Sequence, residues 1–323
     1  VANPKVSVLI TTYNHEAFIG EALDGVLMQK TSFPIEIVIN DDASTDNAPN
    51  IIRAYWAKYP EIIRPFFQPK NRGSTPNMAD AYYRCTGEYV ALLDGDDYWI
   101  DPCKLEKQVA LMDAHPEYSL CFTKEGRVSP CYQMTPGTGT CSEFTLKDLL
   151  HNDTMMGTST VMCRRALLSE IPAEYYHQWG TDFYLYVLFA RQGPIGYIDD
   201  VTAIYRVHPA SLTQRPGQIS RTLGILQTRL DVDALLEHRY HHIFQLARRY
   251  VDVSLAYLDE AHDYGKARYY LSRAIRRIPF ELSWDNCERV LIAFLRINFP
   301  GGYRAARVCK HLLRSITLKR RSR

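Results

Sequence analysis

The sequence lacks any apolar run approaching the roughly 18–20 residues that cross a bilayer, so no segment reads as a membrane-spanning helix. Its first residues, VANPKVSVLITTYN, lack a basic stretch and a cleavage-type site, so they do not read as a signal peptide. There are eight cysteines but no C-x-x-C pair, and the even spacing of Cys121, Cys131 and Cys141 matches no zinc pattern. The expectation is reduced thiols in a cytoplasmic protein. The dinucleotide fingerprint G-x-G-x-x-G is missing after the first strand, where the chain reads TTYNHEAFIG. That argues against a nicotinamide oxidoreductase on a doubly wound sheet. Gly20 and Gly25 have P-loop spacing, but Val26 stands where lysine should follow, and His15-Glu16 lacks the second histidine of a zincin motif. A strong excess of one charge is absent too: the net charge is +2 over 323 residues, which provides no field for nucleic acid.

What charge there is lies unevenly. Residues 303–323 carry eight Lys/Arg and no acid, which leaves the rest of the chain at net −6. The stretch HLLRSITLKRR within that tail fits three roles. It could lie on an anionic membrane surface, stand as a solvated helix or bind a partner. The first reading places the protein peripherally on the inner face of the membrane.

The first half of the chain alternates. VSVLITTY (6–13) is a continuous apolar, β-branched run, as a strand buried on both faces should be. Phe18, Ile19, Ala22, Leu23, Val26 and Leu27 then recur at helical spacing. IEIVIND (35–41) is a second strand, and a helix is expected near 47–58. IIRPFFQ (62–68) is a third strand, with Pro65 marking an edge or an irregular start. Pro76 lies in the first turn of a further helix, EYVALLD (88–94) is a fourth strand, and Pro102 opens a helix to residue 114. Such repeats mean a parallel sheet with crossover helices. After Ser119 the pattern loosens. Residues 129–142 read as a loop, with a short helix near 145–151, a strand near 158–163, a helix from Thr181, and two short strands within 195–208. Residues 219–323 read as almost wholly helical, and YGKARYYLSRAIRRIP has the look of one helix-hairpin repeat unit, although no sustained period marks a repeat array. His238 and His242, four apart, could share a metal if they lie on a helix, although a solvated face is the simpler reading.

Ligands of open parallel sheets bind beyond the carboxyl ends of the strands. Those ends read Thr11-Thr12-Tyr13-Asn14, then Asp41-Asp42, then Asp94-Gly95-Asp96-Asp97. DDASTD alone could be a helix start, with Asp42 or Ser44 as the cap. Three carboxylates within residues 94–97 repel one another, and a hard divalent cation, Mg²⁺ or Mn²⁺, relieves that repulsion. Tyr98 and Trp99, directly after, read as packing aromatics.

The set VSVLITTYN, NDDASTD, NRG (71–73) and YVALLDGDDYWIDP resembles family 2 glycosyltransferases of the GT-A fold. The resemblance spans roughly residues 5–215 and implies an α/β fold with a mostly parallel central sheet, a nucleotide-diphospho-sugar transferase domain over 1–215, and a helical C-terminal region over 216–323. By the same resemblance, Thr11, Tyr13, Asn14, Asp42, Asn71, Arg72, Asp94 and Gly95 would bind the nucleotide, with Asp42 accepting from the base. Asp94-Gly95-Asp96 resembles the DxD motif, in which Asp96 ranks above Asp97 as the metal ligand. In WGTDFY (179–184), Asp182 stands where the family has its catalytic base, although Thr181 replaces the usual glutamate before it. In YRVHPASLT (205–213), His208 would be a third metal ligand and Arg206 a phosphate contact. The Q-x-x-R-W signature of processive synthases is absent. The implied activity is metal-dependent, inverting transfer of one sugar from a nucleotide-diphosphate donor, a UDP-sugar first. The acceptor would be a hydroxyl of a glycan, a lipid-linked saccharide or a protein. The alternative is a catalytically silent nucleotide-binding or scaffold protein on the same fold.

Overall fold

The β-branched runs do become strands, and their ends collect at one rim. The computed structural model describes residues 3–128, 140–152, 155–180, 182–208, 217–244, 246–277 and 284–298. The chain forms two compact units, Val1–Arg215 and Pro216–Arg323. In the first, β1 (Val6–Thr12), β2 (Ile35–Asp41), β3 (Ile63–Phe67) and β4 (Tyr89–Asp94) form a wholly parallel half-sheet in the order β3-β2-β1-β4. The edge expected of the Pro65 strand is where β3 lies. Between the strands run α1 (Ile19–Leu27), α2 (Ala48–Lys58) and α3 (Ser74–Arg84). Ile19, Ala22, Leu23 and Val26 of α1 are fully buried with Val8, Ile10, Ile37 and Ile39 of the sheet. Burying each of the larger side chains contributes about 1.5–3 kcal/mol, so this stripe fixes which face of α1 turns inward.

The second half of the sheet departs from the sequence reading. β5 (Tyr98–Trp99) is a two-residue strand, α4 spans Lys104–Ala114, and β6 (Leu120–Val128) is a nine-residue strand in a region whose mixed polar pattern gave no such signal. β7 (Cys141–Phe144) takes Cys141 and Ser142 out of the expected loop. The rest of that loop, 129–139, lies outside the described residues. α5 (Leu146–His151) forms as expected, its start closed by reciprocal bonds between Thr145 and Asp148. The strand expected near 158–163 is divided: Thr158–Thr160 is a 3₁₀ turn and only Met162–Arg164 is a strand, β8. Residues 195–208 hold one long strand, β9 (Ile195–Arg206), because irregular pairing with β6 absorbs the polar Asp199-Asp200 step. The full order is β3-β2-β1-β4-β8-β6-β9-β5, with β7 also on β9. β5, β7 and β8 run against the other strands, so the sheet is mostly parallel. α6 spans Asp182–Ala190, and Thr181, from which that helix was expected to run, lies outside the described residues.

The second unit is helical: α7 (Gln218–Leu235), a 3₁₀ turn His241–Ile243, α8 (Leu246–Glu260), α9 (Tyr264–Arg277) and α10 (Trp284–Asn298). α8 and α9 form a hairpin in which Ser254 Oγ donates to the Ala267 carbonyl at 2.7 Å, and Tyr257 stacks on Tyr270 at 5.5 Å. Of YGKARYYLSRAIRRIP, read as a hairpin unit, Tyr264–Arg277 is a single helix, the second of that hairpin. His238 does not lie on a helix with His242, because α7 ends at Leu235. Among the described residues no helix is long and apolar enough to cross a membrane. The basic tail, 303–323, lies outside them.

One core residue is unexpected. Lys104 is fully buried at the start of α4, with Nζ bonded to Gln108 Oε1 and lying 4.6 Å from the Trp99 ring centre. Burial pushes its pKa down to about 7. The unfolded chain, with a lysine pKa of about 10.4, therefore binds more protons between these values, and stability rises with pH across that window. Relative to a Lys104→Met variant, the wild-type protein should gain up to about 1.4 kcal/mol per pH unit above pH 7. Urea denaturation of both proteins from pH 7 to 10 measures this; parallel curves would show that Lys104 stays charged.

Candidate active site

Parallel register brings the polar strand ends into line. Thr11 of β1 sits beside Asn40 of β2 and Asp94 of β4, and Thr11 Oγ1 reaches Asp94 Oδ1 at 3.4 Å. After β1 the chain turns through Asn14, whose φ of 57° is left-handed. Asn14 Oδ1 accepts from Thr45 N at 2.8 Å, and Asn14 N donates to Ser44 Oγ at 2.8 Å. Glu16 N donates to Asp46 Oδ2 and Glu16 Oε2 accepts from Asn47 N, so the loops after β1 and β2 are one unit. Tyr13 is half-buried at this rim.

Asp42 does not start α2, which follows Asn47. Its carboxylate turns to the neighbouring loop instead: Oδ1 accepts from Arg72 N at 2.8 Å and Oδ2 from Gly73 N at 2.9 Å. Gly73, at φ +91°, adopts the backbone that lets this loop enter α3. Asn71 and the Arg72 side chain are exposed beside it, Arg72 Nη1 lying 3.9 Å from Asp80 Oδ1.

Residues 94–97 form a tight turn, with Asp97 N donating to the Asp94 carbonyl at 3.0 Å and Gly95 N to the Thr11 carbonyl at 2.9 Å. A Cβ at Gly95 would stand 2.9 Å from Thr12 Cβ and 3.0 Å from the Thr11 carbonyl oxygen. The three carboxylates then separate by direction. Asp97 is buried, accepting from Ser159 Oγ at 2.7 Å and Arg206 N at 2.9 Å. Burial, then the charges of Asp94 and Asp96, push its pKa up to about 8. Burial also raises Asp94, with the charges of Asp96 and Asp182 adding to it. Asp96 points elsewhere: its Oδ2 lies 3.0 Å from His208 Nε2 and 3.8 Å from His15 Nε2.

Arg206, expected as a phosphate contact, meets the acidic turn itself. Its guanidinium donates to the Asp96 carbonyl at 2.9 Å, pairs with Glu21, and lies 4.2 Å from the Tyr98 ring and 5.3 Å from the Phe18 ring. It braces the turn from the side of β9 and α1. Asp182 begins α6, with Oδ1 accepting from Phe183 N at 2.8 Å. Burial raises its pKa, and its charge reaches Asp94. The structure therefore brings Thr11, Asp94, Asp96, Asp97, Arg206 and His208 together, with Asp182 near enough for its charge to raise the Asp94 pKa. Two participants escaped the sequence reading. His15 had a signal, since it follows Tyr13-Asn14 in a rim loop. Ser159 had none, because its place is set by β8 and the 3₁₀ turn before it. An open cleft of about 600 Å³, lined by Pro34, Glu36, Glu61 and Arg64 among others, lies at the start of β2 and holds none of these groups.

Gly95→Ala should lower stability by about 1–3 kcal/mol, because the clash is with backbone and a β-branched side chain. A urea midpoint equal to wild type would show that the turn can widen.

The comparisons with known proteins agree with this geometry. The model of glycosyl transferase family 2 matches residues 7–172, 166 of the 323 residues. An uncharacterised protein of Mycobacterium tuberculosis is 38% identical over 209 residues, covering 63% of this chain and 59% of that protein. TuaG of Bacillus subtilis, named for teichuronic acid biosynthesis, is 34% identical over 177 residues, covering 52% of this chain and 65% of its own. The chain thus aligns with less than two thirds of the length of either relative. Among solved structures, Staphylococcus aureus TarS 1-349 in complex with UDP-GlcNAc superposes with a TM-score of 0.55 at 19% identity, over 91% of this chain and 81% of that one. Mannosyltransferase PcManGT of Pyrobaculum calidifontis, in complex with GDP-Man and Mn²⁺, gives 0.56 at 17% identity, over 93% and 88%. These two likenesses concern the fold alone, a glycosyltransferase α/β fold. Family match, strand order and the acidic rim converge, and the chain belongs to glycosyl transferase family 2.

Proposed function

We propose that this protein is a metal-dependent, inverting glycosyltransferase that moves one sugar from a nucleoside-diphosphate donor to a hydroxyl acceptor. The observation that carries the reading is the placement of Asp96, with His208 at 3.0 Å, at the same carboxyl rim whose charges include Asp182. Thr11, Tyr13, Asn14, Asp42, Asn71 and Arg72 line the adjoining loops and would take the nucleotide. Asp42 would do so while clamping the 71–73 loop, since a carboxylate oxygen can accept a second hydrogen bond. A UDP-sugar is the first donor to test. TuaG's name favours a polysaccharide acceptor, with a lipid-linked saccharide or a protein as the other classes. The basic tail as a contact with anionic membrane belongs to the same proposal.

The donor set fits a divalent cation. Asp96 offers an oxygen and His208 an imidazole nitrogen, with His15 3.8 Å from the same oxygen. A mixed oxygen and imidazole set suits Mn²⁺ better than Mg²⁺. Asp97 is a poor ligand by comparison, because it is 2% exposed and held inward by Ser159 and Arg206. The bound cation would neutralise charge on the departing diphosphate. Asp182 then accepts the proton of the acceptor hydroxyl as that oxygen bonds to the anomeric carbon. The bond from that carbon to the diphosphate oxygen breaks, and the electron pair leaves with the nucleoside diphosphate. Attack from the far face inverts the centre. Arg206 acts from behind, fixing the direction of Asp96 through its carbonyl.

Asp182→Asn should abolish transfer yet keep UDP binding in the presence of Mn²⁺, as measured by calorimetry; normal turnover would remove Asp182 from the mechanism. Because burial raises the Asp182 pKa, the acid limb of kcat/KM should lie above the ordinary aspartate value of about 3.9. Asp96→Ala should lose Mn²⁺-dependent stabilisation by UDP in a thermal shift assay, and unchanged stabilisation would count against the metal reading. His15→Ala should weaken Mn²⁺ binding less than Asp96→Ala does, read from the electron paramagnetic signal of free Mn²⁺ with UDP present. Equal affinity to wild type would make His15 a bystander.

A further inference from the structure

We propose that Asp233, His238 and His241, in the helical unit, form a second metal site that takes a borderline divalent cation such as Zn²⁺. The side chains converge through an unusual turn. After α7 the chain reverses through Glu237 and His238, whose φ values of 54° and 60° are both left-handed. Non-glycine residues rarely adopt this backbone, and two in succession are costly. The reversal brings His238 Nδ1 to 2.9 Å from Asp233 Oδ2. The 3₁₀ turn that follows places His241 Nδ1 at 2.7 Å from the same oxygen. The donor atoms of all three residues lie within 4.8 Å of one another, the only such group of three among the described residues.

A second observation points to a ligand. Asp233 is 2% exposed, and its Oδ1 is buried with no hydrogen-bond partner among the described residues. A buried carboxylate oxygen left without a partner is destabilising. Both histidine contacts are to Oδ2, so a cation held by both oxygens of the carboxylate would supply the partner that Oδ1 lacks. Two imidazoles and one carboxylate form a set that zinc accepts, with a fourth position left for water. The hard-cation site proposed at the acidic rim is separate in sequence and chemistry.

Without metal, both rings can donate Nδ1–H to Oδ2. Arg277 Nη1 lies 2.7 Å from His241 Nε2, which accepts a hydrogen bond from it in that state. Metal binding needs the Nδ1 lone pairs, so the ring protons move to Nε2. His241 Nε2–H then opposes the Arg277 donor, and Arg277 must turn away. Arg277 is therefore a competitor of the cation, and the site cross-links the end of α7 to the turn that leads into α8.

The test uses the full chain carrying Asp96→Ala, which silences the rim site, titrated with Zn²⁺ or Co²⁺ alone. One equivalent of metal should bind, and Co²⁺ should develop visible ligand-field absorption. His238→Ala, at a side chain 69% exposed and so free of packing consequences, should weaken binding by about tenfold or more. His241→Ala should do the same, while Arg277→Ala should tighten binding. No uptake of metal by the parent, or uptake unchanged in both histidine variants, overturns the site.

Discussion

Three carboxylates in four residues can stand together only if they are pulled apart, and Arg206 does much of that. Its backbone amide holds Asp97 inward, and its guanidinium holds the Asp96 carbonyl, so the Asp96 side chain is turned toward His208. Glu21, Tyr98 and Phe18 hold the guanidinium in turn. The interaction joins α1, the turn after β4 and the end of β9, three segments far apart in sequence. The long strand β9 therefore matters to the site as much as the strand that carries the acids.

A similar economy holds for the loops proposed to take the nucleotide. Asp42 and Asn14 are polar residues at strand ends that bind neighbouring loops to one another. Such bonds hold the loops in place before any ligand arrives, which lowers the entropic cost of binding. Positioning and recognition can share one carboxylate because each oxygen has two lone pairs.

Much of this was legible in the sequence. The apolar, β-branched runs of β1, β2 and β4 have no polar face, so only a sheet covered on both sides accommodates them. The parallel order then required their ends, and with them the acids, to share a rim. β6 was not legible, because LCFTKEGRV mixes charge into a strand that is only partly covered. Nor was the division of 158–164 into a turn and a strand, since Thr and Ser serve both. The two histidines of the helical unit were paired wrongly on the assumption of a continuing helix. The left-handed residues Glu237 and His238 that end it carry no glycine to announce them.

What the sequence determined by itself was therefore the kind of site: a strand-end cluster of carboxylates whose mutual repulsion calls for a cation or for buried donors. Which acid takes which role was decided only by tertiary structure. Asp94, Asp96 and Asp97 are chemically identical side chains, and periodicity cannot tell them apart. Ser159 and Arg206, 62 and 109 residues from Asp97, draw it into the protein, while His208, 112 residues from Asp96, meets that carboxylate at the rim. Long-range hydrogen bonds made the distinction, because direction in space is a property of the folded chain.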